Sequence, residues 1–302
     1  MSRLLLLTLL SVATVAGADD LERPLELGGR TRSYLLHLPA VSAEGALPLV
    51  VVLHGAGGDA WLIRDQTSFS EEADWHGFAV AYPNGSRGPN APGLDFGGRR
   101  YLSWNAGACC GWPREQGVDD VGFVRAVVED VARALPIDRR RVYAAGLSNG
   151  GMLAFRLACE ASDLFAAVGV VSGALAAPSC APGAPVSVIQ IHGTADEIVP
   201  VGGGPGQTLT PAGWVYPSTD AGLERWRELD GCDRLPDDSY RDGVRVRRYL
   251  GCRDGAEVRS YVIEDGKHAW FGSGKNALLF PESKEVVATA TLWSFFAGHP
   301  KP

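Results

Sequence analysis

Arg141-Val142-Tyr143-Ala144-Ala145-Gly146-Leu147-Ser148-Asn149-Gly150-Gly151-Met152-Leu153-Ala154-Phe155 is the stretch on which the fold turns. Its first part, Arg141 to Ala145, is a short apolar run of the kind that forms a buried strand. Its last part opens a segment, Asn149 to Cys159, that reads as a helix. Between them Gly146-Leu147-Ser148-Asn149-Gly150 spells G-x-S-x-G. In a chain with 38 glycines among 302 residues that pattern alone says little. A strand before it and a helix after it are the context that a nucleophile elbow requires. The turn is so tight that small residues must flank the serine, and its Oγ is lifted above the sheet edge. The helix that follows aims its first N–H groups at the place where negative charge would develop.

Working outward, strand-like and helix-like runs alternate. Arg32 to Leu38, Pro48 to Leu53, Phe78 to Tyr82, Ala166 to Val171, Val186 to Ile191, Val244 to Leu250 and Val258 to Ile263 read as strands. Val121 to Leu135, with Asp119 or Asp120 as its cap, reads as a helix, as do Ala221 to Leu229 and Glu285 to Phe296. This alternation predicts an α/β fold, a mostly parallel twisted sheet with helices on both faces. Two long stretches rich in glycine and proline, Asn84 to Gly117 and Gly202 to Ser218, interrupt it. They carry Trp104, Trp112 and Trp214. Long loops of this kind are often functional, so they are expected over the site, with Trp104, Trp112 and Trp270 as substrate contacts.

A serine hydroxyl needs a base to act as a nucleophile near neutral pH. In α/β-hydrolase order the acid follows the serine and the histidine follows the acid. Of the six histidines only His268 and His299 come late enough, and His299 lies in the tail after the last helix. His268, in the loop after strand Val258 to Ile263, is the candidate base. Asp196 follows strand Val186 to Ile191, at the carboxyl end where sites in open sheets assemble, and is the candidate acid. Glu197, Asp220 and Asp265 are its rivals. The oxyanion donors are expected to be the backbone N–H groups of Asn149 and Ala56. Ala56 lies in His54-Gly55-Ala56-Gly57-Gly58, just past strand Pro48 to Leu53. His54 and His192 read as turn residues bonded to backbone.

These residues together resemble a known family. The resemblance is carried by His54-Gly55-Ala56-Gly57-Gly58, Trp104-Asn105-Ala106-Gly107, Cys109-Cys110-Gly111, Asp119-Asp120-Val121 and Arg141-Val142-Tyr143. It continues through Gly146 to Met152, Leu157-Ala158-Cys159-Glu160, His192-Gly193-Thr194-Ala195-Asp196, Val199-Pro200 and His268-Ala269-Trp270. They are similar to the secreted polyhydroxybutyrate depolymerase-like esterases, a group in the α/β-hydrolase superfamily that includes feruloyl and acetyl xylan esterases. The resemblance implies a Ser148, Asp196, His268 triad and no metal or organic cofactor. Two departures stand out: Phe271-Gly272 follows Trp270 where the family has Pro-Gly, and Gly202 to Ser218 is long.

The remaining composition bounds the function. Net charge is −7 with no basic cluster, which disfavours a nucleic-acid partner. Arg3, the apolar run Leu4 to Val15 and Ala16-Gly17-Ala18 read as a signal peptide with cleavage near Ala18. Residues 19–302 are then one secreted catalytic domain, extracellular or periplasmic, with no membrane span. Six cysteines behind such a signal suggest disulfides. Cys232–Cys252 across a hairpin is the first pairing, then Cys159–Cys180, leaving Cys109–Cys110 as a vicinal bridge. The expected substrate is a small or polysaccharide-linked ester. A polyester such as polyhydroxybutyrate, acyl transfer to an alcohol, and a non-catalytic secreted binding protein are the alternatives. No polymer-binding module is visible, which favours the soluble ester.

Overall fold

The computed structural model describes residues 20–40, 45–89, 101–206, 215–273 and 286–302. The expected signal segment, residues 1–18, and Trp214 lie outside these. The chain runs β1 (Leu21–Leu27), β2 (Arg30–His37), β3 (Leu47–Leu53), α1 (Ala60–Thr67), α2 (Phe69–His76), β4 (Ala79–Pro83), α3 (Gly111–Glu115), α4 (Asp120–Ala134) and β5 (Ile137–Leu147). It continues through α5 (Asn149–Glu160), β6 (Ala167–Val171), β7 (Ser187–Gly193), α6 (Thr219–Asp230), β8 (Asp237–Arg241), β9 (Val244–Tyr249), β10 (Val258–Ile263) and α7 (Ala288–Ala297). All ten strands join one sheet in the order β1-β2-β4-β3-β5-β6-β7-β10-β9-β8. The six from β4 to β10 pair in parallel. An antiparallel pair flanks them on each side. This is the α/β-hydrolase arrangement expected above.

The central strands read as continuous apolar runs because both of their faces are covered. Leu49, Val51 and Leu53 of β3 face the same core as Val124 of α4, Phe155 of α5 and Trp226 of α6. Val50 and Val52, one residue out of phase, face the opposite core with Ile63 of α1, Phe69 of α2 and Leu292 of α7. The two-residue period of a strand thus splits one apolar run between two hydrophobic layers. Asp119 is the cap of α4, accepting from Gly122 N at 2.7 Å. Asp120 turns inward to Arg32 at 2.6 Å and accepts from Asn105 N.

The sequence patterns missed the edges. β1 contains Pro24 and alternates exposed with half-buried residues. Proline lacks a ladder donor and is tolerated there because an edge strand is paired on one side only. Every residue of β8, at the other edge, is exposed. The two-turn helices α1 and α2 are too short to show a clear period. Among the described residues no helix is long and apolar enough to cross a membrane. Disulfides join Cys159 to Cys180, Cys232 to Cys252 and Cys109 to Cys110. Cys232 follows α6 and Cys252 follows β9, so their bridge closes the base of the β8–β9 hairpin.

Asp230, the last residue of α6, is fully buried. Its Oδ1 accepts from Val186 N at 3.3 Å, and its Oδ2 has no hydrogen-bond partner among the described residues. Burial pushes its carboxyl up to about 7, partly opposed by the Val186 N–H and by Arg253. The unfolded chain ionises this group near the usual aspartate value of about 4. Between those values the folded state holds the extra proton, so stability falls as pH rises through the window. Asp230→Asn keeps the Val186 contact and removes the charge. The variant is expected to be more stable than the wild type at about pH 8 by on the order of a few kcal/mol, and so to melt at a higher temperature, with the gap closing by about pH 4. Thermal melts at the two pH values check this.

Candidate active site

Ser148 sits between β5 and α5 at φ 55° and ψ −121°, a conformation that L-residues rarely adopt. Two close approaches hold it there. A β-carbon on Gly146 would lie 2.3 Å from Gly150 C, and one on Gly150 would lie 2.3 Å from Leu53 O. The two glycines of the motif are thus demanded by space: α5 folds back against the end of β5 and is pressed onto the end of β3. Ser148 N donates to Val171 O at 2.8 Å, which anchors the turn to β6.

Asp196 and His268 come from the carboxyl ends of β7 and β10, which are parallel neighbours. Their loops are knit together by Thr194 N to Ile263 O, Ala195 N to Gly266 O and Asp265 N to Thr194 Oγ1, each 2.9 Å. Gly193 passes so close to Gly266 that a β-carbon would lie 2.0 Å from its carbonyl oxygen. This brings Asp196 Oδ2 to 2.8 Å from His268 Nδ1. Asp196 Oδ1 accepts from Ile198 N and Val199 N at 3.0 and 2.8 Å. The second imidazole, His192, places Nε2 3.2 Å from Oδ2. Burial alone would raise the carboxyl. The hydrogen bonds from His192 and His268 and the charge they carry when protonated outweigh it and hold Asp196 well below the usual carboxylate range. The group is ionised, and it is aimed at the ring nitrogen of His268 that lies away from Nε2.

Ser148 and His268 line one cleft of about 290 Å³. No hydrogen bond links Ser148 Oγ to His268 among the described residues. Such contacts often tighten only once substrate is bound. Ala56 and Asn149 line the same cleft. Gly57 N and Gly58 N are taken by Leu102 O and Gly55 O, while Ala56 N has no acceptor among the described residues. Asn149 is the first residue of α5, where an N–H has no intrahelical partner. These two N–H groups can receive an oxyanion, and the N-terminus of α5 adds its positive dipole end. His54 is not a competing base. Its Nδ1 donates to Gly55 O and its Nε2 accepts from Gly85 N, and burial lowers it to about 4, so it stays neutral.

The three tryptophans expected at the substrate are placed otherwise. Trp104 is fully buried, donates from Nε1 to His54 O, and pairs its backbone N and O with the Asn149 amide at 2.8 and 3.1 Å. It clamps the Ala56 loop to the elbow from behind. Trp270 is fully buried, bonded to Thr289 Oγ1 at 2.9 Å and packed on Phe69. Trp112 lines a separate cleft, with Gly88 against its ring and the Arg30 guanidinium 5.2 Å from its centre. Leu62, Gln66, Tyr101, Met152, Ile198 and Tyr216 form the wall instead. Tyr101 and Tyr216 come from the two long loops, as expected of those loops, but no spacing in the sequence marks these particular residues. Of the rival acids, Asp220 pairs with Arg247 and Asp265 bonds through its backbone to Thr194.

Fold and site together define an esterase of the α/β-hydrolase type. A family model described as "Esterase PHB depolymerase" matches residues 32–201, and the chain belongs to that family. It is a carboxylic ester hydrolase. NocK of Nocardia uniformis subsp. tsuyamanensis, a protein with an inferred esterase assignment, is 34% identical over 90% of this chain and 79% of its own. Feruloyl esterase B of Piromyces equi is 27% identical over 81% of this chain and 44% of its own. Among solved structures, acetyl xylan esterase from Aspergillus awamori shares the fold with a TM-score of 0.59, at 14% identity, covering 88% of this chain and 94% of that one.

The tight elbow gives a direct test. Gly150→Ala forces its β-carbon into Leu53 O. The expected result is a lower melting temperature together with at least a hundredfold loss of esterase activity, about 3 kcal/mol in transition-state stabilisation. Calorimetry and hydrolysis of p-nitrophenyl acetate measure both.

Proposed function

We propose that this chain is an exported serine esterase that uses Ser148, His268 and Asp196 to cleave esters through an acyl-enzyme. The observation that carries the reading is the 2.8 Å contact between the buried Asp196 carboxylate and His268 Nδ1, with His268 and Ser148 on one cleft. Ser148 Oγ attacks the ester carbonyl while His268 Nε2 takes its proton. Ala56 N–H and Asn149 N–H hold the oxygen that gains charge. Asp196 keeps Nδ1 protonated and stabilises the imidazolium. His268 then protonates the leaving alcohol, and water, deprotonated by the same imidazole, releases the acid.

The cleft of about 290 Å³ is at the small end for ligand sites. Its wall is largely apolar, with Gln66 among its few polar side chains. That favours one compact acyl group, acetyl or a single-ring hydroxycinnamoyl, attached to a plant polysaccharide or a small alcohol. The feruloyl and acetyl xylan esterases it is similar to support this class. A second reading, hydrolysis of a polyhydroxyalkanoate, is favoured by the family description. Residues 19–302 are read as one catalytic domain, exported after cleavage near Ala18. The three disulfides support an oxidising compartment.

Ser148→Ala is expected to lower kcat for p-nitrophenyl acetate by about ten-thousandfold or more, and to abolish labelling by a fluorophosphonate probe. Wild-type activity in that variant would sink the mechanism. Methyl ferulate, acetylated xylan and polyhydroxybutyrate film, assayed side by side, separate the substrate classes. Turnover of the first two with an intact film is the expected pattern.

A further inference from the structure

We propose that His192 is a positioning residue for the acid–base pair: it holds the Asp196 carboxylate in place and shares its charge, and so sets how firmly Asp196 retains a proton on His268. The inference rests on the triad reading above. His192 is the penultimate residue of β7 and is 1% exposed. Its Nε2 lies 2.8 Å from Val199 O and 3.2 Å from Asp196 Oδ2. A carbonyl oxygen and a carboxylate oxygen only accept, so Nε2 carries the hydrogen and is shared between them. Nδ1 is then the acceptor, and Thr219 Oγ1 and Gln190 Nε2 lie 3.4 Å away. Gln190 Nε2 is fixed by Gly173 O at 2.7 Å and lies 3.4 Å from Thr219 Oγ1. The donors run in one direction, from Gln190 through Thr219 and His192 to Asp196.

Two consequences follow for Asp196. The first is placement. The Asp196 loop is fastened at both ends, by Oδ1 to Ile198 N and Val199 N and by His192 to Val199 O. The carboxylate cannot rotate away from His268 without breaking several of these contacts. The second is charge. His268 and His192 are the ionisable groups that face Asp196 among the described residues, one on each side of Oδ2. The neighbouring element α6 contributes the neutral Thr219, while its Asp220 is paired outward with Arg247. A carboxylate oxygen shared by two N–H donors attracts each of them less than it would attract one alone. His192 therefore shares the Asp196 carboxylate with His268 and weakens the grip of that carboxylate on the His268 Nδ1 hydrogen.

His192→Leu and His192→Gln test this, because the glutamine amide can supply the Nε2 donor and leucine cannot. The readouts are kcat/KM for p-nitrophenyl acetate and the rate of fluorophosphonate labelling of Ser148, each against pH. For His192→Leu we expect kcat/KM to fall about 10- to 100-fold, mostly in kcat, as for loss of a hydrogen bond to a charged group. We also expect the acidic limb of both profiles to move to higher pH. His192→Gln is expected to recover part of the rate and to bring the limb back toward the wild type. Loss of packing alone would lower the active fraction without moving the limb. Where the leucine variant does not fold, Thr219→Val removes the hydroxyl facing Nδ1 and is expected to shift the limb in the same direction by less. A wild-type limb in whichever of these two variants folds, or equal effects of leucine and glutamine, overturns the proposal. An active Ser148→Ala overturns the triad itself. An inactive Ser148→Ala beside a wild-type limb in the folded variant overturns only the role of His192.

Discussion

The contact between α5 and the end of β3 positions most of what matters here. With no β-carbon on Gly150, the first turn of α5 can lie against Leu53 O and His54 O. Ser148 takes φ 55° at that tight turn and lines the cleft. The same contact brings the chain after β3 beside the helix N-terminus. Ala56 N–H and Asn149 N–H therefore line one cleft without any further device. Trp104 then locks the arrangement, with its ring bonded to His54 O and its backbone bonded to the Asn149 side chain. A strained serine persists because its surroundings allow nothing else. Ser148 and the Ala56 and Asn149 N–H groups are thus placed by one packing event.

The other half of the site depends on register. β7 and β10 are adjacent and parallel, so their carboxyl ends finish side by side. Asp196 and His268 are 72 residues apart in the chain and meet because those two strand ends do. The β8–β9 hairpin, with β9 paired to the outer side of β10, lies between them in sequence and carries no cleft residue. The Cys232–Cys252 bridge fastens its base. The connection can thus vary in length without moving the pair, provided β10 stays in register with β7.

How much of this was legible in the sequence follows from burial. The central strands were readable because two covered faces leave unbroken runs such as Leu49 to Leu53. β1 and β8 were not, because an edge strand is half or wholly wet: β8 has no apolar run, and in β1 Pro24 and charged residues break up the leucines. Chain order pointed to Ser148, Asp196 and His268 as a group, and the structure brings them to one place. The cleft wall was illegible: Tyr101 and Tyr216 lie in loops whose path is set by contacts that leave no sequence period, a bridge from Leu102 to the distant Gly58 in one and a bridge of Tyr216 back to Gly204 within the other. The tryptophans misled for a physical reason. A large ring gains most by full burial, and Trp104 and Trp270 are buried behind the site rather than exposed in it.

Two of the buried aspartates show what residue type cannot convey. Asp196 and Asp230 are both nearly free of solvent contact, at 4% and 0% exposure. Desolvation pushes both carboxyls up, yet they end in opposite states. Asp196 collects two backbone N–H groups and two imidazoles, and these overcome the cost of burying its charge. Asp230 collects one long hydrogen bond from Val186 and sits at the C-terminal end of α6, where the helix dipole opposes a negative charge. It keeps its proton to about 7. The difference is the number of donors delivered to each oxygen, which is a property of packing. For Asp196 one of those donors is His192, a residue that the sequence offers only as a turn histidine. A neighbour four positions upstream on the same strand end thus supplies one of the donors that keep the Asp196 carboxylate ionised.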